Sequence, residues 1–171
     1  MEEARQEAAY VIEQIAPYRI TYPVVFDWER QNYAGSRTQT IPDTGLLCSM
    51  ANAFCADIEA AGYEAMIYFY QNLAYNNLDL SQLLDYPFWL AQYTDYPSFY
   101  YDFDMWQYTS SGKVPGISGN VDLNLRFFRD GELPPEDSGD VEDTPPSQDI
   151  PSSQDGAPKA ETTESAISQD I

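Results

Sequence analysis

The sequence contains no histidine and only two cysteines, Cys48 and Cys55. Without histidine, neither a Ser-His-Asp triad nor the common zinc sites can be assembled. The cysteines fall within a stretch of helical periodicity, where their spacing means about 10.5 Å of rise. That is too far for a disulfide, so they read as buried apolar fillers. No Gly-rich phosphate loop occurs. No run of about 18 apolar residues occurs either, which argues against membrane insertion. The opening Met-Glu-Glu-Ala-Arg is polar and helical rather than a secretory leader. Basic residues are scarce, 8 Lys and Arg against 28 Asp and Glu, for a net charge of -20. Nucleic-acid binding needs clustered Lys and Arg, so no nucleic acid is expected as a partner, nor an anionic membrane surface. The chemistry left to this chain rests on carboxylates, tyrosines, lysines or lone thiols.

What is present is unevenly spread. All the Phe, Trp and Tyr residues precede position 129, and residues 131–171 have none. That segment holds 11 acidic residues, one Lys and 6 of the 12 prolines, and repeats Ser-Gln-Asp at Ser147, Ser153 and Ser168. Such a composition cannot bury enough apolar surface to offset the entropy of ordering. We expect a folded domain at 1–130 and a disordered acidic Pro/Ser/Gln/Asp-rich tail at 131–171.

Within the domain, Ala4, Ala8, Val11, Ile12 and Ile15 follow the helical period, and Pro17 closes a helix over 2–16. Tyr22 to Trp28 is a nearly continuous apolar run, as in a strand buried on both faces. A polar loop from Arg30 to Asp43 precedes a helix that Asp43 or Thr44 caps and Gly62 ends. Strands are expected at Glu64–Tyr70, Pro87–Tyr93, Phe103–Thr109 and Asn120–Leu125, with a short helix at Asn76–Asp85. The early alternation of helix and strand implies parallel βα units. About 130 residues are too few for a closed βα barrel.

Asp27 and Glu29 are two apart at the end of the first strand, so both side chains share a face while Trp28 takes the other. Two neighbouring acids can take different pKa values, one staying protonated near neutrality, which is what glycoside hydrolysis requires. An Asp-x-Glu alone is a weak signal, equally compatible with two solvated acids at a loop edge.

Val-Val-Phe-Asp-Trp-Glu (24–29) resembles the signature strand of glycoside hydrolase family 25, the muramidase-type lysozymes. Three further segments resemble that family in order and spacing: Gly62 to Tyr68, Phe-Trp-Leu-Ala-Gln-Tyr at 88–93, and 105–124 from Met-Trp-Gln-Tyr to Val-Asp-Leu-Asn. The resemblance implies an α/β fold, a partial (β/α) TIM-like barrel lacking its first three strands. It implies a peptidoglycan hydrolase cleaving the β-1,4 bond between N-acetylmuramic acid and N-acetylglucosamine, with no metal or cofactor. Glu29 matches the general acid, Asp27 its partner carboxylate and Asp122 a third acid. Tyr68, Trp89, Tyr93, Trp106, Gln107 and Tyr108 are the candidate sugar contacts, with strand packing as the alternative for each. The implied partner is the peptidoglycan glycan strand. The implied setting is the cell wall or outside the cell, for a monomer whose N-terminus reads as incomplete. The family's first-strand Asp has no counterpart here, so an inactive fragment that binds wall glycan is the rival expectation.

Overall fold

The computed structural model describes residues 1–129. The segment read as a tail, 131–171, lies outside the described residues. Three α-helices and five strands follow one another as α1 (Glu2–Ile15), β1 (Val24–Asp27), α2 (Thr44–Ala60), β2 (Ala65–Tyr70), α3 (Gln71–Asn77), β3 (Phe88–Ala91), β4 (Met105–Gly112) and β5 (Val121–Arg126), with one 3₁₀ turn at Leu80–Gln82. The strands form a single sheet in chain order. β1 to β4 run parallel, and β5 returns antiparallel to β4. This mixed α/β architecture fits a partial barrel. Among the described residues no helix is long and apolar enough to cross a membrane.

Period-2 alternation sorts the strands into two faces. Phe26, Ile67, Phe69, Phe88, Leu90 and Trp106 pack with Leu47, Ala51, Phe54 and Ile58 of α2 into one hydrophobic core. Ala4 and Ala8 of α1 are buried in the same core, and their small side chains let α1 lie close against α2. Arg5 of α1 pairs with Asp57 of α2 at the rim. Asp43 caps α2 by accepting from the Leu46 N–H at 3.0 Å, and Gly62 closes it with φ of 89°, a left-handed conformation that glycine adopts without steric penalty. Cys48 and Cys55 are free and buried, and burial pushes the Cys55 thiol up to about 12. Cys48 Sγ accepts from the Asp79 N–H at 3.3 Å, so this thiol ties α2 to the 3₁₀ turn.

Two sequence-based expectations are corrected. The helix expected at Asn76–Asp85 is instead α3, which starts directly at the end of β2 and buries Leu73 and Ala74; Asp79 then caps the 3₁₀ turn by accepting from Ser81 N–H and Oγ–H. The fourth strand runs to Gly112 rather than Thr109, because β5 folds back on it as far as the Gly112–Val121 pair. A side chain at Gly112 would overlap Leu123 and press on the Val121 carbonyl oxygen. Gly112→Ala is therefore expected to destabilise the chain by about 1–3 kcal/mol, seen as a lower urea midpoint with an unchanged slope. An unchanged midpoint would show that the β4–β5 hairpin can spread at no cost.

The loop from Arg30 to Asp43 is held by its own bonds. Arg30 Nε donates to the Gln39 carbonyl at 3.1 Å, Gln31 N–H to the Thr38 carbonyl at 3.3 Å, and Ser36 N–H to the Tyr33 carbonyl at 3.2 Å. Arg37 reaches α1 and pairs with Glu3 at 3.1 Å and Glu7 at 3.5 Å. The loop, α1, α2 and the outer edge of β1 thus enclose a groove of about 940 Å³.

Candidate functional site

The face of the sheet turned from the helices gathers the polar residues. Phe26 and Trp28 are buried in the core, which directs Asp27, and Glu29 just beyond β1, to the other face. β2 contributes Tyr68, β3 Trp89 with Tyr93 just beyond it, and β4 Gln107. Because the four strands are parallel, the register gathers these residues at one edge: Asp27 ends β1 and pairs with Tyr68, Gln107 pairs with Ala91 at the end of β3, and Glu29 and Tyr93 lie just past the ends of their strands. β5 runs the other way and brings Asp122, two residues from Asn124, to the same face by alternation.

Hydrogen bonds join these groups. Tyr68 Oη donates to Gln107 Oε1 at 3.2 Å, and Tyr93 Oη donates to the same oxygen at 2.7 Å. Gln107 is only 5 % exposed, so its amide sits where water does not compete. The carboxylates of Glu29 and Asp27 both lie close enough to act on the Tyr68 hydroxyl. The Tyr68 and Trp89 rings meet edge-on with centroids 5.0 Å apart, and Trp89 Nε1 donates to Asn124 Oδ1 at 3.0 Å. Asn124 escaped the sequence reading, although it lies two residues from Asp122 in the same Val-Asp-Leu-Asn segment.

The loop beyond β3 is fixed from beneath by Gln92. Its Nε2 donates to Gln71 Oε1 at 3.1 Å and to Ser98 Oγ at 2.7 Å, while its Oε1 accepts from the Ser98 N–H at 2.9 Å. Tyr93, 55 % exposed, therefore stands on a braced support with its hydroxyl aimed at Gln107.

Trp106 and Tyr108 do not join the cluster. They flank Gln107 on β4 and so point to the helix side, where Trp106 is buried, Tyr108 packs against the core, and Trp106 Nε1 donates to the Gln92 carbonyl at 2.8 Å. Both make the strand-packing contacts that stood as the alternative for each. The groove along β1 is lined by Asp27 but not by Glu29, Tyr68 or Gln107, so it adjoins the polar cluster rather than containing it.

The electrostatics of the site are set by burial at Asp27 and Tyr68. Asp27 opens to solvent on the groove side. Protein on its other side still strips enough water from the carboxyl to raise it from 3.8 to about 6, with the charge of Glu29 adding to the effect. The Tyr68 phenol is pushed well above its ordinary value, first by burial and then by the charge of Glu29.

A carboxyl whose pKa is raised on folding favours the folded state fully only below its unfolded value, and that contribution is lost as pH rises toward the folded value. Ionised Asp27 therefore costs stability above pH about 6. Asp27→Asn is expected to melt a few degrees higher than wild type at pH 7.5 and at the same temperature at pH 3.5, by circular dichroism. Equal melting at both pH values would show that Asp27 is as well hydrated folded as unfolded. Among the described residues no group of three or more Cys, Asp or Glu is placed to hold a metal ion.

The family profile of Glycosyl hydrolases family 25 matches residues 1–117. A comparison with curated protein sequences gives no match. Among solved structures, the modular autolysin LytC from Streptococcus pneumoniae superposes with a TM-score of 0.64 at 29% identity, covering 74% of this chain and 31% of that one. LytC in complex with a synthetic peptidoglycan ligand superposes equally well, with a TM-score of 0.64 at 28% identity. The CTP1L endolysin gives 0.59 at 28% identity, covering 72% of this chain and 41% of its own. The chain thus spans well under half the length of these structures.

Proposed function

The chain belongs to the glycosyl hydrolases of family 25, and on that premise we propose that it hydrolyses peptidoglycan at the β-1,4 bond between N-acetylmuramic acid and N-acetylglucosamine, with Glu29 as general acid. The observation that carries this reading is the convergence of Asp27, Glu29, Tyr68, Tyr93 and Gln107 at one end of one face, with Asp122 on the same face. A glycan strand laid over this end would put its scissile oxygen at Glu29, which gives it a proton as the bond breaks. Ionised Asp27 then faces the positive charge that develops on the sugar ring. Asp122 acts from β5 to position the acetamido group or the attacking water. Trp89, Tyr68 and Tyr93 supply ring faces and hydroxyls for the sugars.

We also propose that β1 corresponds to the fourth strand of the family barrel. The relatives' earlier strands would then lie along the groove beside β1, where their Asp-bearing first strand would complete the acid set. The wall location of the proposed substrate favours action outside the cytoplasm.

The test is clearing of purified bacterial cell walls by this chain beside Glu29→Gln. Clearing by the wild type alone supports the reading. Sedimentation of both proteins with walls, but clearing by neither, would move it to the glycan-binding alternative.

A further inference from the structure

We propose that Gln107 is a specificity-determining residue whose side-chain N–H donates to the carbonyl oxygen of a sugar N-acyl group. The proposal rests on the reading of this face as a peptidoglycan site and names the group on the glycan that the site reads.

Two glutamines are buried among the described residues, Gln92 and Gln107. A primary amide has an oxygen that only accepts and two N–H groups that only donate, and burial makes an unmet group costly. Gln92 uses both ends. Its Nε2 donates to Gln71 and Ser98, and its Oε1 accepts from the Ser98 N–H. Gln107 uses one end. Its Oε1 accepts from Tyr68 at 3.2 Å and from Tyr93 at 2.7 Å, while no group among the described residues accepts from its Nε2. Gln92 is a finished structural brace, and Gln107 is half of an interaction.

The amide is held in one orientation. The two phenols hold Oε1, and the planar group turns Nε2 away from them. Trp106 and Tyr108 pack on the helix side, so alternation directs Gln107 to the polar face that carries Asp27. The Gln92 brace steadies the segment from which Tyr93 reaches in. Nε2 is thus a fixed, unmatched donor on the substrate face.

The acceptor that fits it is neutral. Asp27, Glu29 and Asp122 on this face disfavour a carboxylate. The acetamido group of a peptidoglycan sugar offers an amide carbonyl, which has no proton of its own to place. A sugar hydroxyl brings a proton that needs a second partner. A protonated amine has only donors, and leaves Nε2 unmet.

The experiment uses short peptide-free glycan strands from one wall preparation in three forms: N-acetylated, enzymatically de-N-acetylated, and re-acetylated with acetic anhydride. All proteins carry Glu29→Gln so that strands are bound without being cut. Binding is followed by tryptophan fluorescence at high salt, which screens the pull of an acidic chain on charged amines. Adding Gln107→Met, which keeps the length of the side chain but has no N–H, is expected to weaken binding of acetylated and re-acetylated strands about tenfold. Binding of de-N-acetylated strands should change little. A second readout leaves Gln107 in place. In nitrogen-15 NMR its side-chain amide protons should move downfield with acetylated strands and stay where they are with de-N-acetylated ones. A merely structural glutamine would lower binding of both forms alike. Equal losses on both forms, an amide signal indifferent to acetylation, or no binding of any strand overturns the proposal. A loss confined to the de-N-acetylated strands also overturns it, because it would mean that Oε1 faces the sugar. Wall clearing by the chain with Glu29 intact separates the two readings. An inert chain that keeps the acyl preference sinks the muramidase reading alone, and a chain that clears walls without the preference sinks this proposal alone.

Discussion

Replacing Glu29 by glutamine is expected to cut wall hydrolysis by about 10²–10⁴-fold and to leave the fold unchanged. The amide has the shape of the carboxyl, but it has no acidic proton to give the leaving oxygen. Glu29 lies just beyond β1, half-buried, and takes no part in the core that Phe26 and Trp28 enter on the other face. The change should therefore be read in kcat, with the affinity for walls and the melting temperature close to wild type. A variant that clears walls at wild-type rate would place the acid elsewhere, and Asp27, raised to about 6, would be the next to replace.

The largest expected effect on stability is at Phe69. Its side chain is fully buried near the end of β2, with the rings of Phe88 and Phe99 at 5.0 and 5.5 Å between centroids. Phe69→Ala leaves a cavity between β2, β3 and the segment leading to β4, at a cost of about 3–5 kcal/mol. Domains of this size are stable by only about 5–15 kcal/mol, so much of the margin is lost. Because Tyr68 is the next residue on the same strand, the site should fail with the fold rather than separately. Urea unfolding measures the loss, and Phe69→Leu should recover a good part of it. A loss below about 1 kcal/mol would mean that Phe99, on its loop, swings in to fill the space.

The elements with strong periodicity were legible in the sequence. The Asp43 cap and the Gly62 stop each follow from one local rule, and the structure shows both. The strand read from the apolar run at Tyr22–Trp28 is shorter, Val24–Asp27, and is buried on one face only, at Phe26, because Asp27 turns to the exposed side. The separation of Asp27 from Trp28 across the sheet also follows from alternation alone. The same rule, applied to Trp106, Gln107 and Tyr108, sends only the glutamine to the polar face, and the structure places the three accordingly. α3 was missed because Gln71 to Asn77 is rich in amides and shows little apolar period; burial of Leu73 and Ala74 against β2 decides it. The Tyr68–Gln107–Tyr93 fork joins residues on three elements, and no local pattern announces such a meeting. The raised pKa of Asp27 depends on the burial that folding creates there. The loop at 30–43, opaque as sequence, reaches α1 through Arg37, which pairs with Glu3 and Glu7.

The central claim, muramidase chemistry at Glu29, is tested most directly by the sugar at the new chain end. Purified peptidoglycan is digested with this chain and with Glu29→Gln, reduced with borohydride and hydrolysed. New muramitol with the wild type and none with the variant is the expected result. New glucosaminitol, or no new reducing end from the wild-type chain, would contradict it.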